Sequence, residues 1–499
     1  MRRGIFTIVR VALINGLRVS CSSLGSNRAA REMRRLSIPL LALIFAAASP
    51  HLLRAQEAVS STGTSGTTSS SSAPSSSTTT TELSTGTTAP PTAVTSSSGA
   101  ASTLTGGPSG VGIFSRTPIQ IYATVSGGYD DNVNTQSGSK QGSAFTNGNI
   151  ILDYTFGDPR LQLQLNAGAG GSYYYEHVSG QNYDIDLKGA LGITYKSSPR
   201  LTLGSTLLID YLTEPNFDAP GGLNSRSGNY LYTTDKAFVA YNWSQRFSTK
   251  SSYTFEAYNY DNSAVALYSN RVSNTFGNEF RFQMVPTTLL VAEYRYGIVS
   301  YENEGDVIIP AQFNQFGMQI APAVHLQNDS TTHFALGGID HIFNPRLSAS
   351  FRGGAEFRSY TNGGDRTDPY FEGAVTYALG KRVSVTWNNH YGLEEPGIAG
   401  AQSRTTFRTG IQTKLNLTSR ITSNVDLYFV HDDYPAFTSG VMVTPGFTEN
   451  TFDGGVSLRY AITSLFGVQA GYHYTDINSD IQFREYSRNR VFAGVSLTF

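Results

Sequence analysis

Three groups of side chains in this sequence could do chemistry. Asp130, Asp131 and Asn132 stand together, as do His431, Asp432 and Asp433. Glu279, Arg281, Glu293 and Arg295 recur at odd-numbered positions on either side of the turn Val285-Pro286-Thr287-Thr288. A carboxylate beside a histidine can serve acid–base catalysis, and clustered oxygens can hold a hard cation. The first two groups fall where an alternating segment meets a polar loop, a position in which Asp and Asn are ordinarily turn formers. Neither offers enough ligands within local reach for calcium. No phosphate loop, His/Cys metal spacing or dinucleotide fingerprint occurs. The sequence therefore predicts no enzyme, no metal and no cofactor. Its chemistry rests on the third group and on the elements that carry it.

Around that turn Val272, Phe276, Phe280, Phe282 and Met284 share one parity, as do Leu290, Ala292, Tyr294 and Ile298 beyond it. The charged residues take the other. A period of two is the mark of a strand with unlike faces. The same alternation recurs in Leu161–Tyr173, Leu201–Tyr211, Phe407–Leu417 and Val468–Tyr474. These segments run about 10–14 residues, roughly twice the strand of a soluble sandwich and close to the 9–11 needed to cross hydrocarbon at a tilt. Short turns recur about every 40 residues, and six carry an arginine at the exit: Arg160, Arg200, Arg246, Arg346, Arg382 and Arg420. Longer polar loops lie between them. Short turns on one rim and long loops on the other predict an all-β, antiparallel up-and-down transmembrane barrel of about 18 strands. Its first strand is expected at Ile119–Asp130 and its last at Val491–Phe499. By parity Glu279, Arg281, Glu293, Arg295, Arg352, Glu356, Arg408 and Lys414 should line the lumen. With Thr287 as turn centre, Arg281 should face Glu293 and Glu279 should face Arg295.

Two further features follow from this reading. Tyr173, Tyr174, Tyr175, Tyr258, Tyr260, Tyr294, Tyr296, Tyr301 and Tyr360 gather at strand ends towards the long loops, as an interfacial girdle would. The longest connection, 302–331, holds Phe313, Phe316, Met318 and Ile320, which suits a loop folded inward or over the mouth. An alternating segment over 316–326 also leaves room there for an extra hairpin.

Composition agrees with a membrane barrel. The 499 residues are 39% hydrophobic and only 15% charged, rich in Gly and Tyr, with a net charge of −1 that offers nothing to nucleic acid. No apolar run is long enough for a membrane-spanning helix. Residues 33–55 have a basic start, an apolar core and a cleavage site after Ala55, the layout of a signal peptide. Residues 1–32 would then be an over-extended start, and the lone Cys21 would not persist in the mature chain. The Ser/Thr-rich stretch 56–117 is too poor in apolar surface to order itself, and is expected as a disordered periplasmic arm before a barrel over 118–499.

The segment GGYDDNVN (127–134), the stretch HFALGGIDHIFNPRL (333–347) and the terminal Phe resemble the β-barrel porin-2 family. The ending Val495, Leu497, Phe499 resembles the signal that barrel-insertion machinery reads in outer-membrane barrels. The resemblance implies the outer membrane of a Gram-negative bacterium, with the bilayer and that machinery as partners. Barrels of 16–18 strands are wide enough to hold water. The expected function is a passive pore for small polar solutes. Its alternatives are a structural or surface-display protein, or an accessory of exopolysaccharide secretion.

Overall fold

The computed structural model describes residues 119–176, 182–217, 219–361, 363–380, 382–439, 442–481 and 483–499. The expected signal peptide, its cleavage at Ala55 and the Ser/Thr-rich arm lie outside the described residues.

Eighteen strands form one sheet. The first six are β1 (Ile119–Asp130), β2 (Ser143–Gly157), β3 (Leu161–Tyr174), β4 (Tyr183–Lys196), β5 (Leu201–Leu212) and β6 (Tyr230–Asn242). The next six are β7 (Phe247–Tyr260), β8 (Arg271–Val285), β9 (Thr288–Tyr301), β10 (Ser330–Asn344), β11 (Leu347–Tyr360) and β12 (Asp365–Leu379). The last six are β13 (Val383–Glu394), β14 (Arg404–Asn416), β15 (Ile421–Tyr434), β16 (Phe447–Ala461), β17 (Phe466–Ser479) and β18 (Tyr486–Thr498). Each pairs antiparallel with the next, and β18 returns to β1 in a register running from Tyr122 opposite Thr498 to Asp130 opposite Arg490. Closure leaves no sheet edge unpaired, which a strand surrounded by lipid requires. An even number of strands brings Ile121 back beside Phe499, joined by two backbone hydrogen bonds at the short-turn rim.

Six of the short turns share one local device. Asp158 accepts the backbone N–H groups of Arg160 and Leu161. Ser198, Ser244 and Thr418 do the same for Arg200 and Leu201, for Arg246 and Phe247, and for Arg420 and Ile421. Asn344 accepts from Arg346, and Thr463 from Leu465 and Phe466. A short polar side chain two residues before the exit thus satisfies donors that the ended ladder leaves open, and Pro159, Pro199 and Pro345 preset φ between them.

Parity sorts the two faces as expected. Phe276, Phe280, Phe282, Met284 and Tyr294 stand exposed outside, while Glu279, Arg281 and Glu293 are buried inside. The last strand begins at Tyr486, five residues before the expected start. The aromatic girdle needs correction. Tyr173, Tyr175 and Tyr294 are exposed, but Tyr174, Tyr258, Tyr260, Tyr301 and Tyr360 are buried. Neighbours along a strand point to opposite faces, so a run such as Tyr173-Tyr174 cannot serve one belt.

The long loops carry little further structure. Ser263–Ser269 forms one short helix, α1, whose N-terminus is capped by Asn262. Loop 302–329 makes a small hairpin, with Val307–Ile309 pairing with Val324–His325 and Gln312–Phe313 with Gln319–Ala321. Its apolar tip is not covered: Phe316 is 75% exposed, and Phe313, Met318 and Ile320 are exposed beside it. The expected burial of these four side chains, inward or over the mouth, does not occur, whereas the extra hairpin does form.

Candidate functional site

The loop that does fold inward is 213–229, between β5 and β6. Its Glu214 makes a paired ionic contact with Arg488 of β18 at 2.5 Å and 3.0 Å. Its Arg226 reaches Asp184 of β4 at 2.6 Å and donates to the Val133 carbonyl beyond β1. The Gly221 N–H donates to Glu394 of β13, and the Gly221 carbonyl accepts from Arg271 of β8. Asn224 donates to Asp432 of β15 and Glu449 of β16. The Pro220 and Asn224 carbonyls accept from Tyr258 and Tyr486. In a closed ring one short segment can touch β4, β8, β13, β16 and β18 only by crossing the interior. Segment 213–229 spans the lumen.

Its seat is ionic. Arg404, 1% exposed, holds Asp432 at 3.1 Å and Glu394 at 3.3 Å, and Thr406 also donates to Asp432. Arg488 also holds Asp130, an inward residue of β1. Buried carboxylates persist as ions only when paired and hydrogen-bonded in this way. Burial alone would push the Glu214 carboxyl up, but Arg488 and Arg226 hold it well below the usual carboxylate range.

A second band runs along β7 to β14, reaching from the long-loop ends of β11, β13 and β14 towards the short-turn rim. Arg281 donates to Glu279 at 2.6 Å, and Lys250 stands 3.4 Å from the same carboxylate. Arg295 pairs with Glu293 on its own strand and crosses to Glu372 of β12, both at 2.5 Å. Arg352 holds Asp340 at 2.7 Å and comes within 4.0 Å of Glu279 and 3.8 Å of Glu293. Glu356 accepts the Leu393 N–H and lies 3.5 Å from Arg358. Arg408 pairs with Glu394 at 3.0 Å. Lys414 shares the inward parity of Arg408 on β14, half-buried nearer the rim. Below this band the inward Gln162, Gln164 and Ser384 are exposed, so the lumen opens to water at the short-turn end.

All eight expected lumen residues thus lie on the inward face. The expected pairing across the β8–β9 turn is wrong, however. The turn is Pro286-Thr287 and the register shifts once between Gln283 and Val285, which together set Glu279 opposite Glu293, Arg281 opposite Val291 and Arg295 opposite Gly277. Centring the turn on Thr287 displaced the register by two, which keeps the face and changes the partner. Arg281 and Arg295 instead pair with Glu279 and Glu293 on their own strands, while Lys250, Arg352 and Glu372 link one strand to others. The clusters weighed first for chemistry are split by the wall. Asp130 and Asp432 point inward to arginines, while Asp131 accepts from Asn489 and His431 bonds Asn450 on the outer face.

Sequence reasoning missed the crossing segment. The signal available was Glu214, Phe217, Leu223 and Arg226 in a loop otherwise built mostly from Pro, Gly, Asn and Ser.

Residues 391–499 match the family described as Putative beta-barrel porin 2. The match spans the wall from the end of β13 through β18 and bears out the family read from the sequence. Together with the closed barrel and its apolar outer belt, it supports an outer-membrane β-barrel. No curated protein matches the sequence. Solved structures resemble it weakly. The BenF-like porin from Pseudomonas fluorescens Pf-5 has 9% identity over 76% of this chain and 98% of that one, with a TM-score of 0.39. OpdK from Pseudomonas aeruginosa has 9% identity over 76% and 99%, at 0.38. The siderophore receptor PirA from the same species has 8% identity over 77% and 80%, at 0.34. At these scores the likeness carries no argument about this chain.

Proposed function

We propose that the barrel is a passive outer-membrane pore for small polar solutes, narrowed by segment 213–229. The observation that carries this reading is the crossing of that segment through a lumen lined by paired charges. A segment that only filled space could do so with apolar side chains, at less desolvation cost than buried ions. Fixed charges of both signs around a narrow path let small polar and ionic solutes exchange water for protein groups, and turn away bulky or apolar ones. The open, amide-lined short-turn end supports the same reading. The bilayer and the insertion machinery are the partners it requires, and no catalytic step enters it.

Planar-bilayer recording tests it. The folded barrel should give discrete conductance steps, and replacing residues 214–227 by a short Gly-Ser linker should enlarge them severalfold. A folded barrel that gives no steps, with the segment or without it, would leave a structural or display role in place of a pore.

A further inference from the structure

The lipid-facing wall is not uniformly apolar. On β5 to β8 several polar side chains share the outward parity of Leu203, Val239, Phe276 and Phe280, six of them joined in three hydrogen-bonded pairs. These six are Ser205, Asp235, Ser251, Tyr253, Asn274 and Asn278. Asp235 lies near the middle of β6, between Leu207 of β5 and Phe255 of β7, and Phe255 lies opposite Asn274 of β8. Ser205 donates to one oxygen of Asp235 at 2.9 Å. Tyr253 donates to the Asn274 side-chain oxygen at 2.7 Å, and Ser251 and Asn278 meet at 2.9 Å. Those bonds leave the second oxygen of Asp235 and the amide nitrogens of both asparagines without partners among the described residues. Acyl chains offer them none, and an ionisable or amide group in hydrocarbon is costly unless something polar meets it.

Hairpin 307–325 rises from β9 and β10, next to this island. It carries no Asp, Glu, Lys or Arg, and its apolar tip is exposed. Two neighbouring surfaces thus lack a partner, one at membrane depth and one above it. The opposite wall is different: Leu427, Phe452, Val456 and Leu458 give an unbroken apolar surface there.

We infer that the outer face of β5 to β8, together with hairpin 307–325, is where a second copy of this chain docks in the membrane. The island is self-complementary. It presents amide donors and a bare carboxylate oxygen, so a two-fold axis can set Asn278 of each copy against Asp235 of the other. Such isologous contacts close at a dimer. The hairpin tips, uncharged and apolar, then pack against the neighbouring copy. A smaller polar set on β13 and β14, Trp387, Thr409 and Asn389, already bonds within itself and lies under no such hairpin.

The only cysteine, Cys21, precedes the barrel, so crosslinking is clean once it is replaced. Two differently tagged copies, one carrying Asp235→Cys and one Asn278→Cys, should form a mixed disulfide in native outer membranes. Copies carrying Val456→Cys or Asn389→Cys should not. By mass photometry in nanodiscs, Asp235→Leu with Asn278→Leu should weaken the dimer about tenfold or more, while heat-modifiable migration shows the barrel still folds. A wild-type barrel that is monomeric in the membrane would overturn the inference. So would crosslinking through Val456→Cys or Asn389→Cys as efficient as through the island, or a dimer indifferent to the double leucine variant.

Discussion

Glu279 stands directly opposite Glu293 across the β8–β9 hairpin, carboxylate facing carboxylate. Like charges set across a ladder repel at this spacing. The arrangement holds because cations converge on it from four strands: Lys250 of β7, Arg281 beside Glu279, Arg295 beside Glu293 and Arg352 of β11. At this level of the inner wall the charges therefore form a shared network: Glu279 and Glu293 each have more than one cation.

Arg352 is the member that joins both carboxylates to Asp340. Removing it as Arg352→Met should leave buried carboxylates under-compensated and cost about 3 kcal/mol, the lower end for breaking a buried pair. The expected reading is a lower temperature for the heat-modifiable transition. Adding Glu279→Gln should recover a good part of the loss. Recovery would be absent if the two residues acted independently.

Arg295 suits a selectivity test better than a double reversal of Arg281 and Arg295. Adding two carboxylates to this cluster would threaten the fold, whereas Arg295→Gln removes one cation and keeps a donor for Glu372. Reversal potentials in a salt gradient should move towards cation selectivity. An unmoved potential would place the conducting path away from this wall.

The Glu214 tether of the crossing segment should be insensitive to mild acid. The depressed Glu214 carboxyl contributes its ionic tether above the ordinary carboxylate range, near 4.3. That contribution is lost only as pH falls through the much lower folded value. Conductance at pH 4 should therefore equal that at pH 7 so far as Glu214 sets it. Glu214→Gln should raise conductance at both. A wild-type step that grows on moving to pH 4 would show that other groups hold the segment.

What was legible in the sequence follows from what acts locally. Lipid outside and water inside impose a strict period of two, so strands, turns and the inward placement of Arg352 or Arg408 could be read from spacing alone. Partners could not. Arg226 meets Asp184 from 42 residues away and Glu214 meets Arg488 from 274 away, and no local pattern links them. Loop 302–329 drew attention through its apolar content, yet 213–229 crosses the lumen because its charges find seats on many strands. Asp235 was hidden by the same logic: one carboxylate on the wrong parity breaks no rule until its face is known.

Gly392 has a packing role that spacing does not reveal. A Cβ there would come within 2.8 Å of the Tyr370 ring and 2.9 Å of the Glu356 carboxylate. Gly392→Ala must push one of them away, and Glu356 accepts the Leu393 N–H from there. A destabilisation of about 1–3 kcal/mol is expected, as for overpacked interiors. Thermal unfolding should show it, and Tyr370→Phe should not relieve it because the ring itself remains.

Asp329 sits where the hairpin loop rejoins β10 and accepts the Tyr301 N–H at 2.6 Å. Burial pushes its carboxyl up to about 6, and nearby Glu304 adds to this against the Tyr301 bond. A raised carboxyl favours the folded loop when protonated, and this contribution is lost as pH rises from the unfolded value near 3.9 through about 6. Amide exchange at the base of the loop, corrected for intrinsic rates, should slow between pH 7 and pH 5. Asp329→Asn should abolish that dependence.

The last residue separates stability from assembly. Phe499 exchanges backbone hydrogen bonds with Ile121, so it helps close the barrel, while its side chain is 41% exposed on the outer face. Phe499→Ala keeps the backbone bonds and removes a partly buried ring, worth at most about 1.5–3 kcal/mol. Shared over so many strand pairings, that loss should barely move the thermal transition of barrel refolded in detergent. In cells the effect should be larger, because the ending Val495, Leu497, Phe499 is the segment expected to engage the insertion machinery. The variant should accumulate at a fraction of the normal level in the outer membrane and be degraded in the periplasm. Normal levels with unchanged refolding would remove the assembly role from Phe499 and leave it as one more side chain of the apolar belt.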